Sequence, residues 1–150
     1  MKNHIFFLLA FLFCIQAKAQ NTSYDEKLAK ELGADDYGMR SYVMAFLMAG
    51  DRVSEYSTEQ RQQIQQGHMA NINKLSQEGK LILAGPFIEG GEKRGIFLFN
   101  VNTLEEAKLL TQSDPAVEAG VLKMELVQWY GSAALLKIPE WHNKVQKKFF

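Results

Sequence analysis

The sequence predicts an α+β fold of order β-α-β-β-α-β, the ferredoxin-like plan, on three observations. Four strand-length apolar runs alternate with two longer amphipathic patterns in that order. The two middle runs are joined by a Gly-rich loop instead of a helix. No repeat, low-complexity stretch or long linker divides the chain, so one domain holds all six elements.

The chain opens on a targeting pattern. Lys2 is followed by an almost wholly apolar run from Ile5 to Ile15, and Ala17-Lys18-Ala19 supplies a small-x-small cleavage signal before Gln20. The run is shorter than the roughly 20 residues a membrane span needs. Residues 1–19 are therefore expected to be a signal peptide. The mature chain is expected to be periplasmic or secreted, without a transmembrane segment. Cys14 follows the bulky Phe13, which argues against a lipoprotein site. Cleavage removes this single cysteine, and with it any disulfide, thiol nucleophile or cysteine metal ligand. It also removes Lys2 and Lys18 from a balanced set of charges, leaving a slight acidic excess that argues against nucleic acid as a partner.

Residues 20–40 read as a lead-in with a short helix. Tyr24, Leu28 and Leu32 fall at i, i+4 and i+8, and Gly33 is a stop signal. The domain proper is placed at 41–131. Tyr42 to Met48 is apolar on both faces and ends at Ala49-Gly50-Asp51. Thr58 to Glu78 follows as a helix with Ile64, His68, Ile72 and Leu75 on its inner stripe, ended by Gly79. Lys80 to Ala84 is a second strand, ended by Gly85-Pro86. Gly95 to Val101 is the third, again apolar on both faces. Thr103 caps the second helix with Glu106 as capping-box partner; Leu104, Ala107, Leu110 and Asp114 mark its inner face. Val121 to Trp129 is the fourth strand, closed by Tyr130-Gly131-Ser132. In the tail, 132–150, Pro139 sits at N1 of a helix with Trp141, Val145 and Phe149 on one stripe. That helix is expected to cover its own domain or a partner, the sharper alternative being a membrane-surface helix.

The plan puts both helices on one face of the sheet and leaves the other face bare in a monomer. Strands one and three are apolar on that side too, so a homodimer packed sheet to sheet is expected.

His68 is the candidate catalytic residue, because an imidazole on an apolar stripe needs a buried partner. Asp114, aimed inward from the second helical pattern, is that partner. Together they form a candidate acid–base pair, with His68 as base and Asp114 as its orienter. A purely structural pair that fixes helix packing is the competing reading. Gly85 and Pro86 form either a turn or a pocket wall that lets substrate approach closely. Arg94 is either a solvated loop charge or a contact for an anionic substrate. Tyr42 serves the core, an interface or substrate stacking. No metal site or cofactor is expected: after cleavage only His68 and His142 remain, and no phosphate-cradling Gly motif is present.

Several stretches together resemble the YciI-like, or YCII-related, family. They are His68, Glu78-Gly79-Lys80 to Ala84-Gly85-Pro86, the Gly95 strand, Glu105-Glu106-Ala107, Ser113-Asp114-Pro115 and Trp129, covering Tyr42 to Tyr130. The resemblance implies a dimeric α/β barrel and an active site built on one histidine and one aspartate, here His68 and Asp114. It also implies proton chemistry of the elimination or hydrolysis type, since one branch dehydrochlorinates hydroxyaromatics. The expected function is a cofactor-free enzyme acting on a small organic molecule. A small-ligand-binding module of the same fold is the main alternative, and a monooxygenase acting on haem or a quinol is a third. The signal peptide, the lead-in and the tail depart from the family pattern.

Overall fold

The computed structural model describes residues 23–148. The expected signal peptide and Phe149 lie outside them. A four-stranded antiparallel sheet in the order β2-β3-β1-β4 is formed by β1 (Met39–Ala49), β2 (Leu81–Pro86), β3 (Lys93–Phe99) and β4 (Leu122–Ser132). The helices are α1 (Glu26–Glu31), α2 (Thr58–Gln77), α3 (Leu104–Gln112), α4 (Pro115–Glu118) and α5 (Ile138–Val145). The β-α-β-β-α-β order holds, with α4 added after α3. Among the described residues no helix is long and apolar enough to cross a membrane.

Local chemistry sets the helix ends. Ser57 caps α2 through a capping box with Gln60, and Thr103 does the same for α3 with Glu106. Beyond α2 the chain turns at Gly79, whose φ of 68° suits glycine. Inside the sheet–helix layer Val43, Ala45, Leu47, Phe97 and Phe99 meet Leu75, Leu81 and Ala107. Each large side chain fully buried there contributes about 1.5–3 kcal/mol.

Several boundaries differ from the sequence reading. Gly85 and Pro86 do not end β2 but belong to it, paired with Ile96 and Gly95. An edge strand tolerates a proline because one side of its backbone needs no partner. The pairing of β2 slips between Leu81 and Leu83, so Ile82 and Leu83 both pack on the outer face. Tyr130 to Ser132 likewise continue β4.

The outer face is not bare. After β4 a 3-10 turn, Ala133–Lys137, leads into α5, and Leu135, Leu136 and Ile138 pack on Tyr42, Ile82 and Leu98. Of the expected tail-helix stripe, Trp141 and Val145 are 62% and 77% exposed in the single chain, and its own sheet is covered instead by the turn and by Ile138 at the start of α5. The lead-in docks through Leu32, which is buried, while Tyr24 stays exposed. Its Asp35 carboxylate accepts the Tyr37 and Met39 N–H groups and the Tyr130 hydroxyl, and these bonds, Tyr130 first, hold the Asp35 carboxyl below its ordinary range.

Candidate functional site

His68 lies in the middle of α2, on the stripe facing the sheet, and only 6% of its surface is exposed. Its ring stacks on Phe97 of β3, with centroids 5.8 Å apart and planes 16° from parallel. Gly67, the preceding residue, sets how closely α2 meets the next segment: a Cβ there would lie 3.0 Å from Pro115 Cγ. Gly67→Val is therefore expected to overpack the α2–α4 contact and cost about 1–3 kcal/mol. A shift in the urea midpoint at unchanged m-value measures it.

Asp114 is fully buried. It is not on the inner face of α3, as the pattern suggested. α3 ends at Gln112, and Asp114 is the N-cap of α4, with Pro115 in the first turn. One carboxylate oxygen, Oδ1, accepts the Ala116 N–H at 2.9 Å. The other, Oδ2, lies 2.7 Å from His68 Nδ1. The cap thus fixes the carboxylate, and the carboxylate fixes the imidazole. With Asp114 ionised, Nδ1–H donates to it and the ring presents Nε2 as its free nitrogen. Nε2 has no hydrogen-bond partner among the described residues.

A second polar rung joins the same segments. Asn71, one turn beyond His68 and 8% exposed, faces Ser113, whose Oγ lies 3.2 Å from the side-chain amide and 2.8 Å from Leu110 O. With the amide oxygen turned to Ser113, one hydroxyl proton would serve two acceptors and Asn71 Nδ2 would be buried without a partner. The flipped amide resolves the first conflict, with Nδ2 donating to Ser113 Oγ and Ser113 donating to Leu110 O, and leaves the amide oxygen in place of Nδ2 as the buried atom without a partner. The sequence reading missed Asn71, although its place at i+3 from His68 was a usable signal.

The other candidate residues do not gather at this pair. Tyr42 belongs to the outer face of the sheet, opposite His68. It is fully buried, its hydroxyl donates to Ser132 O at 2.9 Å, Arg40 lies over its ring and Trp129 packs beside it. Burial pushes its phenol up, with Arg40 pulling the other way. It is a core residue here. Arg94 is exposed on β3, and among the described residues its side chain has no partner. Gly85 and Pro86 lie just past Ala84, which pairs with the same Phe97 that carries the His68 ring. A Cβ on Gly85 would meet nothing within 4 Å, and its φ is not positive. Gly85→Ala is expected to leave the fold intact; a rise in KM at unchanged urea midpoint would then mark this backbone as a substrate wall.

His68 and Asp114 lie apart from the concavity bounded by Ile72, Ser76, Leu81, Ala84 and Ile138 between α2, β2 and α5.

The chain is an α+β domain in which a helix-borne histidine bonds to a buried aspartate. The YCII-related domain model matches residues 44–130, and the chain belongs to this family. No curated protein matches the chain. Among solved structures it is similar to the 5-chloro-2-hydroxyhydroquinone dehydrochlorinase of Burkholderia phenoliruptrix AC1100, in complex with 2,5-dihydroxybenzoquinone. That likeness has 15% identity and a TM-score of 0.43, and covers 60% of this chain and 93% of the other.

Proposed function

We propose that this protein is an exported, cofactor-free enzyme that uses His68 and Asp114 for acid–base chemistry on a small organic molecule. The observation that carries the reading is the 2.7 Å bond from His68 Nδ1 to a carboxylate that is itself pinned by a backbone N–H. Such a bond orients the ring, stabilises the imidazolium formed when Nε2 takes a proton, and leaves Nε2 as the working atom. In an elimination, Nε2 takes the substrate proton, the electrons of that bond form the new π bond, and the leaving group departs with its own pair. The family resemblance makes chlorinated hydroxyaromatics the first substrates to try.

The test is chloride release from a panel of chlorinated hydroquinones, with wild-type protein and His68→Ala. Turnover lost in the variant, with unchanged circular dichroism, supports the reading. Saturable binding without turnover in the wild type replaces it with a ligand-binding module. N-terminal sequencing of protein from an exporting host tests export: a chain that starts at Gln20 supports it, and one that starts at Met1 in the cytosol removes it.

Assembly follows the same logic. The tail covers only part of the outer face, and Val127 and Trp129 remain 42% and 37% exposed beside half-buried Met44, Phe46 and Ile96. A homodimer through this patch is the arrangement that buries it. Light scattering is expected to give twice the monomer mass, and Val127→Lys is expected to return the monomer mass. A wild-type monomer at micromolar concentration would refute the dimer.

A further inference from the structure

We infer, on the reading of His68 as the catalytic base, that Asn71 is a positioning residue: through Ser113 it holds Asp114 against the His68 ring. His68 and Asn71 stand one turn apart on the inner face of α2. Across from them stand two consecutive residues, Ser113 and Asp114, at the junction of α3 and α4. His68 Nδ1 lies 2.7 Å from Asp114 Oδ2, and Ser113 Oγ lies 3.2 Å from the Asn71 amide. The segment after Asp114 has anchors of its own. Pro115 lies close against Gly67, and Tyr56, just before α2, donates its hydroxyl to Ala119 O at 3.0 Å. On the side before Asp114, the tie to α2 is the Asn71–Ser113 bond.

That tie reaches the carboxylate because the backbone between is stiff. Asp114 precedes Pro115 and is extended, with φ −85° and ψ 119°, the region to which a following proline confines a residue. Its Oδ1 is held by the Ala116 N–H. A movement of Ser113 away from α2 therefore carries the carboxylate with it, and His68 Nδ1 loses its acceptor. A neutral ring without that acceptor samples both tautomers, and Nε2 is a free base in only one of them. Packing alone gives no reason for an amide at this place. Asn71 is 8% exposed, and in either orientation one amide atom stays buried without a partner. A leucine here would carry no such cost.

The experiment reads the ring itself. Protein labelled with ¹⁵N at histidine reports the His68 tautomer through its imidazole nitrogen shifts, assigned by their loss in His68→Ala. Wild type is expected to hold one tautomer, with the proton on Nδ1. Asn71→Leu, which keeps the branching and removes the polar atoms, is expected to mix the two tautomers while the urea midpoint is unchanged or raised. Ser113→Ala removes the same bond from an exposed position and should mix them too. Ser113→Thr keeps the hydroxyl and should hold the wild-type tautomer. In the chloride assay Asn71→Leu should lower kcat by about 10–10², with KM within about twofold of wild type. A single Nδ1–H tautomer in Ser113→Ala overturns the inference, and so does one in a folded Asn71→Leu. Mixed tautomers with an unchanged kcat overturn it as well, since the ring order would then not serve turnover. A wild type that releases no chloride sinks the catalytic reading by itself, because the ring measurement needs no substrate and still decides whether Asn71 holds the pair.

Discussion

Asp114→Asn is expected to lower turnover by about 10²–10⁴, the range typical of general acid–base groups, while the protein stays folded. The asparagine can still cap α4, because its oxygen can accept the Ala116 N–H as Oδ1 does now. It cannot stabilise a protonated His68 as a carboxylate does, and it can offer an amide N–H that selects the wrong ring tautomer. Asp114→Ala separates this from structure. It removes both the cap and the His68 partner, leaving Nδ1 buried and unpaired. The cap contributes about 0.5–2 kcal/mol and the charge-assisted bond about 1.5–3 kcal/mol. A large drop in urea midpoint is therefore expected for the alanine and a small one for the asparagine. Steady-state kinetics and urea melts of the two variants check this. If Asp114→Asn keeps full turnover, the pair is a packing device and the enzyme reading loses its base.

His68 was legible for a plain reason. The 3.6-residue period puts it on the stripe of Ile64, Ile72 and Leu75, and a polar residue in that slot must find a partner. Asp114 was legible as the partner but not in its role. The Ser113-Asp114-Pro115 run both ends one helix and starts the next, and a helical period carried through it places Asp114 on α3 instead of at the N-cap of α4. The strand order was legible from the runs and the short β2–β3 loop. The extent of β2 was not, because Pro86 is a stop signal in most contexts and the slip at Ile82 breaks the alternation that would show the face. The cover of the outer sheet face was hidden for a related cause. Ala133 to Lys137 form a 3-10 turn, whose period is not that of an α-helix. The clean helical stripe lay further on, at Trp141 and Val145, and those residues stay in solvent. Periodicity reports which residues share a face, and says nothing of whether that face meets another part of the chain.

Ending the chain at Ser132 is expected to cost most of the domain's stability and to drive it into higher assemblies. Tyr42, Ile82 and Leu98 are at most 5% exposed, and Leu135, Leu136 and Ile138 pack against them. Removing that cover exposes parts of three large side chains at about 1.5–3 kcal/mol for each one fully freed, against a total stability of about 5–15 kcal/mol for a domain of this kind. The Ala133 N–H, now donated to Gly38 O, is lost as well. The cut also strips α5 from the edge of β2, leaving an unpaired strand beside a new apolar patch, the usual template for edge-to-edge aggregation. Two point variants locate the effect. Leu136→Ala should lower the urea midpoint, toward the lower end of the 2–5 kcal/mol typical of core leucines, because Leu136 is only partly buried. Trp141→Ala should change it by less than about 0.5 kcal/mol, since that ring is mostly in water. Light scattering then reads the assembly state of the truncated chain. A soluble truncated protein with an unchanged midpoint would mean that the sheet face is stabilised from elsewhere, and the proposed dimer would be the remaining source of cover.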